Sequence, residues 1–512
     1  MWLKQLEQSL LLALTWFNEE LIMSLNRREF LKLTSKSAIV SGAGLTFPMS
    51  FDTSASTNFD DYKALVCVML HGGNDSINTF IPSGTDANKG YDKYASIRGD
   101  LTISNKNLDF NTLNAYADES SSASTSYLKG FYQDSKIDGL ATNALMPEIA
   151  KLINDDKIAI VANMGTLVEP TTRTAIKAKT ANLPKNIFSH NTQRRIMHSG
   201  VADDLKVLGW AGRLFDEWQG INQNHIYGLN ISYAGKPYLF NARSTSPLVL
   251  SSGKPISYSA INSVNNIEKT SLYTELNSIQ YESPFKRMYN SILNKSFSLV
   301  DSLADDWQNS HNFTTTNDYG TPLFEIPPKS DLKLDDIDLS NKFSEQLRAV
   351  AKMIKIGKDK GLKRQIFYVQ LNGFDTHSEQ LSDHPKLLRT LSLGMGDFQA
   401  AMAEIGMEDQ VSSFTLSDFG RSTGSNGDGT DHAWGGHHFV MGGAVKGGLY
   451  GTLPDLNLGG IDDSGTKGRL IPSTSLDEYI STLLSWYGVD ETVKNTILPN
   501  LKNFDNPDLG FL

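Results

Sequence analysis

Four short, nearly continuous apolar runs stand out along the chain, and each ends abruptly in polar or glycine-rich residues. Ala64–Leu70 runs into His71-Gly72-Gly73-Asn74-Asp75, and Lys157–Ala162 runs into Asn163-Met164-Gly165. Gln365–Leu371 leads to Asn372-Gly373-Phe374-Asp375-Thr376-His377, and Ser413–Leu416 leads to Ser417-Asp418-Phe419-Gly420-Arg421. Runs of this length without polar alternation predict strands buried on both faces. Between them the spacing turns helical. Phe343, Leu347, Val350, Ala351 and Ile354 share one face. Leu387, Leu388 and Leu391, then Phe398, Met402 and Ile405, predict two helical pieces broken at Gly394 and Gly396. Leu476–Trp486 predicts a closing helix.

Alternating helix and strand predicts an α/β protein with a mainly parallel sheet between helix layers. Ligand sites in such sheets lie beyond the carboxyl ends of the strands. Asp75, Asp375, His377 and Asp418 all fall at such ends. The segment 244–339 differs in texture: it is rich in Ser, Asn, Thr, Asp and Pro, with helical fragments around 284–309, and reads as an insertion or cap. The expected organisation is a targeting region and linker over residues 1–60, then one domain over 61–512.

The 512 residues carry 47 Lys plus Arg against 57 Asp plus Glu, a formal charge of −10. This mild acidity argues against a nucleic-acid partner, which needs a dense basic face. A single cysteine excludes intrachain disulfides and thiolate clusters, so any metal must be held by His and Asp or Glu.

The N-terminus reads as targeting. Asn26-Arg27-Arg28-Glu29-Phe30-Leu31-Lys32 is a twin-arginine element, followed by a small-residue stretch from Ala38 to Phe47 and a cleavage region near Ala55. Met23 offers an alternative start, which would place the true beginning of the chain there and make 1–22 a mis-assigned leader. No run of about twenty apolar residues predicts a transmembrane segment. The expected partner at this end is the twin-arginine export machinery, and the expected location is periplasmic or extracellular.

Asp75 after paired glycines is either a metal carboxylate or a cap. Asp375 and His377 are one residue apart, close enough for both to reach one ion if the backbone turns. Asp418 adds a third carboxylate, and three at one edge call for a cation or a basic partner. Arg421 fits that partner role, or the grip on an anionic substrate. Gly429 to His438 is dense in histidine. His437 and His438 open a strand and so point to opposite faces, leaving at most one for a site. Ser189 precedes a short helical stretch ending at Gly200, and reads first as its cap and second as a nucleophile. Gly420-Arg421-Ser422-Thr423-Gly424 matches a nucleophile elbow, but the glycine-rich residues after it do not favour the helix an elbow requires.

Taken together, the motifs resemble a bacterial exported family, domain of unknown function 1501. They are Gly-Gly-Asn-Asp with Asn78-Thr79 and Pro82, Phe188-Ser189-His190, Gly209-Trp210-x-Gly212-Arg213, Gly373 to His377, Ser417 to Arg421, and Gly429 through Gly448. That family is similar to the alkaline phosphatase and sulfatase superfamily. The resemblance implies an alkaline-phosphatase-like fold and a metal-dependent hydrolase of phosphate or sulfate esters acting on a small anionic ester. It also implies a divalent cofactor: zinc, calcium, magnesium or manganese. Carried over, Asp75, Asp375, His377, Asp418 and His432 are the metal residues, and Ser189 falls in the nucleophile region. In such a hydrolase Arg421 is the residue expected to stabilise developing charge. Phe419 stands where the superfamily places a histidine, and Asp375-x-His377 is shorter than the usual spacing. The competing expectation is a non-catalytic envelope protein that keeps the fold. A serine hydrolase ranks third.

Overall fold

The computed structural model describes residues 59–118, 121–218, 221–222, 230–243, 247–250, 287 and 302–512. The twin-arginine element, Met23, Ala55 and most of the 284–309 stretch lie outside the described residues. Residues 302–308 of that stretch are helical.

The central sheet is built from β1 (Lys63–His71), β2 (Ile158–Gly165), β3 (Asn230–Ser232), β4 (Leu248–Val249), β5 (Arg364–Asn372) and β6 (Val411–Ser417). A hairpin, β7 (Arg421–Ser425) and β8 (Thr430–His432), then leads into the last strands of the sheet, β9 (Gly436–Met441), β10 (Gly448–Tyr450) and β11 (Thr474–Ser475). The order is β10-β2-β9-β6-β1-β5-β3-β4, with β11 also on β2. All pairings are parallel except those of β9 with β2 and β6. The mainly parallel α/β sheet predicted from the sequence is therefore present.

The unbroken apolar runs follow from two-sided burial. On β1, Ala64, Val66, Val68 and Leu70 enter one core, while Leu65, Cys67 and Met69 enter the other. A period of two sends successive side chains to opposite faces, so both sets must be apolar. Each of the larger of these side chains, such as Leu65, Val66, Val68, Met69 and Leu70, gains about 1.5–3 kcal/mol from burial. Eight helices matter here: α1 (Ser76–Thr79), α2 (Tyr91–Arg98), α3 (Pro147–Asn154), α4 (His190–Ser199), α5 (Trp210–Glu217), α6 (Lys342–Asp359), α7 (Gln380–Glu404) and α8 (Leu476–Tyr487). Residues of α3, α6 and α7 line the first core, and those of α5 and α8 line the second. The amphipathic spacing from Phe343 to Ile354 is the inner stripe of α6. α8 starts from a capping box in which the Ser475 hydroxyl accepts from the Glu478 amide, and the Glu478 carboxylate accepts from the Ser475 amide.

One predicted break is absent. Residues 380–404 form a single 25-residue helix through Gly394 and Gly396. These glycines are contact points instead. A Cβ at Gly394 would lie 2.8 Å from the Phe343 ring, and one at Gly396 would lie 2.8 Å from the Glu148 side chain. Tight approach of α6 and α3 to α7 outweighs the weak helix propensity of glycine, about 1 kcal/mol per residue.

Near these contacts, Asp397 is buried and its Oδ2 accepts the Phe324 amide at 2.7 Å. Burial pushes its carboxyl up to about 7. A carboxyl raised in the folded state gives stability that is full below its unfolded value and is lost as pH rises through the folded one. Asp397→Asn keeps the acceptor and removes the ionisation. The variant should match the parent near pH 4 and exceed it above pH 7, by about 1.4 kcal/mol per pKa unit at most. Urea unfolding at both pH values measures this, and parallel pH profiles for the two proteins would contradict it.

Candidate metal centre

Parallel register brings the strand ends to one edge. His71 of β1 lies opposite Asn372 of β5, and Leu70 lies opposite Ser417 of β6. The following loops, 72–75, 373–377 and 418–420, therefore leave the sheet side by side. Their approach is close. A Cβ on Gly72, at φ +124°, would sit 2.4 Å from the Asp375 amide nitrogen, and one on Gly73 would sit 2.7 Å from the Phe419 ring. The Ser417 hydroxyl clasps the turn, donating to the Leu70 carbonyl at 2.8 Å and accepting from the Asn74 amide at 2.9 Å.

Two further segments close on this edge. The hairpin pairs Arg421 with His432, so both side chains share a face. Helix α4 contributes His190 at its first position and Arg194 one turn on, the spacing that puts two residues on one helical face.

Four side chains converge. His190 Nε2 lies 2.9 Å from His432 Nε2 and 3.4 Å from Asp375 Oδ2. His377 Nε2 lies 2.8 Å from His432 Nε2 and 3.3 Å from Asp375 Oδ1. Ligand atoms of His190, Asp375 and His432 all fall within 4.8 Å of one another.

The opposite ring nitrogens are engaged. His432 Nδ1 donates to the Phe188 carbonyl at 3.0 Å, and His190 Nδ1 donates to Asp418 Oδ2 at 2.7 Å. Each of these bonds fixes a tautomer with a bare Nε2, the arrangement that second-shell partners impose on metal-binding histidines. Burial lowers the His432 pKa, and the Arg421 charge adds to that against the opposing Phe188 bond. Burial raises the Asp375 carboxyl, but the Arg421 bond and charge, with His190 and His377, outweigh it and hold it low. The donors that converge are thus two imidazole nitrogens and one carboxylate oxygen, with His377 alongside, a set suited to zinc or a related divalent ion.

Of the residues predicted from sequence, Asp375, His377 and His432 come together. Asp418 is fully buried behind His190 and orients it, with Arg194 Nε 3.6 Å from its other oxygen. It is therefore an outer partner rather than a member of the cluster. Asp75 is also a correction. Its buried carboxylate pairs with the buried Arg98 and accepts from Gln380 Nε2, and Asn78 completes a turn on it at 3.4 Å. Burial raises this carboxyl, and the charges of Arg98 and His384 together with the Gln380 bond bring it below its ordinary value.

Arg421 is buried as well. It donates to Asp375 Oδ1 at 2.7 Å and also bonds Thr430 and the Gly72 carbonyl. The basic-partner role is the one it fills. Ser189 occupies the cap position of α4, yet its hydroxyl makes no capping bond. His437 and His438 are buried, at the Asn163 amide and the Thr415 hydroxyl respectively. Ser422 lies on β7 and donates to the Gly424 carbonyl, with no helix following, so the elbow geometry is missing.

Sequence reasoning missed His190 as a member of this cluster. Its signal was the His190–Arg194 spacing directly after Ser189, which sets two basic groups on one face. Phe419 does not leave a gap: its ring packs 4.7 Å from His190 and 4.6 Å from His432 by centroid, walling the cluster on one side.

The segment holding Asp375, His377, Asp418, Arg421 and His432 decides the family comparison. Residues 349–467 match DUF1501. That family is described as "Protein of unknown function (DUF1501)", so the match names no chemistry. It agrees with the resemblance read from the motifs. No curated protein matches the chain. Among solved structures, the chain is similar to a protein in the alkaline phosphatase superfamily from Vibrio parahaemolyticus. The identity is 9%, the likeness covers 85% of this chain and 68% of that one, and the TM-score is 0.33. It is also similar to the PsFucS1 sulfatase from Pseudoalteromonas sp. (11%, 88% and 73%, TM-score 0.30). A third is the lipoteichoic acid synthase LtaP from Listeria monocytogenes (8%, 84% and 73%, TM-score 0.30).

Proposed function

We propose that this protein is a metal-dependent hydrolase of phosphate or sulfate esters, with His190, His432 and Asp375 holding one divalent ion and His377 beside them. One observation carries the reading: bare Nε2 atoms of His190 and His432, each fixed by a bond at its Nδ1, face the same point as Asp375. A bound ion would polarise the ester and lower the pKa of an attacking water or hydroxyl. Asp418 holds His190 in orientation. Arg421 holds Asp375 and offsets its charge. Asp375 and His377 are the more exposed members and leave the cluster accessible to substrate. Ser189 and a water are the candidate nucleophiles.

The neutralisation of Asp75 by Arg98, with Phe419 against the histidines, favours a single ion. It also supports the second reading, a non-catalytic envelope protein on the same fold. Metal analysis of the purified protein separates the readings when combined with turnover of 4-nitrophenyl phosphate and 4-nitrophenyl sulfate. About one equivalent of metal, lost in His432→Ala, and ester turnover abolished by chelation are expected. Stoichiometric metal with no turnover of either ester would favour the binder. Absence of metal after reconstitution would remove both the ion and the mechanism.

The reading includes export in the folded state by the twin-arginine pathway to the periplasm or beyond, supported by Asn26 to Lys32. Among the described residues, no helix is long and apolar enough to cross a membrane. Replacing Arg27 and Arg28 by lysine should retain the protein in the cytoplasm. Fractionation showing unchanged export of that variant would exclude the route.

A further inference from the structure

Helix α4 has a second basic surface beside the cluster. A cavity of about 400 Å³ opens there, lined by His71, Arg194, Arg195, His198, Lys236 and Tyr238 among others. Among the described residues that line it, none is acidic. The positive charge is only partly spoken for. Arg194 shares Asp418 from its far side at 3.6 Å and also bonds His71. Arg195 lies 4.4 Å over the Tyr238 ring and donates to its hydroxyl at 2.8 Å, while its Nε has no partner among the described residues. Lys236 is exposed, and no carboxylate among the described residues pairs with it.

A second, independent feature points to a ligand. His198 lines the same cavity with only 2% of its surface exposed, and neither ring nitrogen has a hydrogen-bond partner among the described residues. Buried polar groups are nearly always paired, so an unpaired one bordering a polar cavity marks a place where a ligand atom fits. Burial pulls the pKa of His198 down to about 3, so the ring is neutral and offers one N–H.

We propose that this cavity is an oxyanion-binding subsite, taking a sulfate or phosphate group that the substrate carries beyond the reacting ester. Arginine forks and a lysine ammonium suit tetrahedral oxyanions, and the neutral imidazole adds a donor without a charge that would need compensation. Arg194 touches both this cavity and the carboxylate that orients His190, so the two sites adjoin. The substrate class that follows is an ester with a second anionic group. That part rests on the hydrolase reading, whereas anion binding by the cavity does not.

The test uses the full chain stripped of metal with a chelator, titrated calorimetrically with inorganic sulfate and, separately, inorganic phosphate. Stripping removes any ion that would bind these anions at the histidine cluster. One site is expected. Arg195→Gln should weaken it about tenfold or more, and Arg195→Lys should recover part of the loss. Lys236→Ala should weaken it less, and His432→Ala should leave it unchanged. An unaltered melting temperature shows that the variants fold. Undetectable sulfate and phosphate binding by the parent protein would overturn the proposal. Binding that survives the Arg195→Gln/Lys236→Ala double change, or that disappears in His432→Ala, would also overturn it. Failure of the ester assay would leave these outcomes readable.

Discussion

Arg98→Met should destabilise the protein by about 3–5 kcal/mol at neutral pH, the range for removing one partner of a buried ion pair. Both side chains are essentially inaccessible, at 0% and 1% exposure, so water cannot replace the lost guanidinium. Arg98 also donates to the Ser422 and Thr423 carbonyls at 3.2 Å, tying α2 to the hairpin that carries Arg421 and His432. The pH dependence follows from the Asp75 carboxyl. In the parent its folded pKa is depressed, so its contribution is present above the unfolded value of 3.8 and fades as pH falls through the folded one. In the variant, burial without a cation raises that pKa, so the deficit is largest at pH 7 and shrinks toward pH 4. Asp75→Asn in the same chain should recover most of the loss, because an amide can accept from Gln380 without needing a cation. Urea midpoints of the parent, the single variant and the double variant are decisive. A single-variant deficit below about 1 kcal/mol, the scale of surface pairs, would mean the pair is not desolvated as described. A double variant no better than the single would mean that the carbonyl bonds dominate.

The second large effect concerns Asp418. Outer-shell partners of metal-binding histidines typically contribute 10–100-fold in metal affinity. Asp418→Asn retains an oxygen for His190 Nδ1 and loses only the charge, so a drop of about tenfold is expected. Asp418→Ala loses the bond as well and should approach 100-fold. Competition against a chelator of known affinity gives both numbers. Metal stoichiometry should stay near one at saturating metal in both variants, which separates an orienting group from a ligand. Loss of stoichiometric binding in Asp418→Asn would place the carboxylate on the ion itself, and equal affinity across the series would remove the orienting role.

The strands were readable because burial on both faces leaves an uninterrupted apolar signature, and their ends marked the functional edge. Asp375 and His377 were readable for the same reason: their positions relative to strand ends follow from local pattern, whereas His432 came only from the resemblance of its segment to the family. What failed was long-range in origin. Nothing near Asp75 announces that Arg98 folds back onto it, because that contact depends on how α2 packs against the hairpin. Gly394 and Gly396 carry the same local signal whether they break a helix or let two helices touch. His190 was hidden by the attention drawn to Ser189. Its geometry depends on α4 meeting Asp418, 228 positions away in the chain. Phe419 looked like a missing ligand in sequence and is a wall in three dimensions.

That last separation has a kinetic meaning. The histidine pair closing the cluster spans 242 positions, from His190 to His432. Such contacts require large loops to close before they bring any return, so they form late in folding. No fragment ending before the hairpin can hold the donor set. On the proposed reading, an ion would be taken up by an almost finished fold, and the compartment in which folding ends would set its identity. A chain exported already folded would carry out the metal that the cytoplasm supplies.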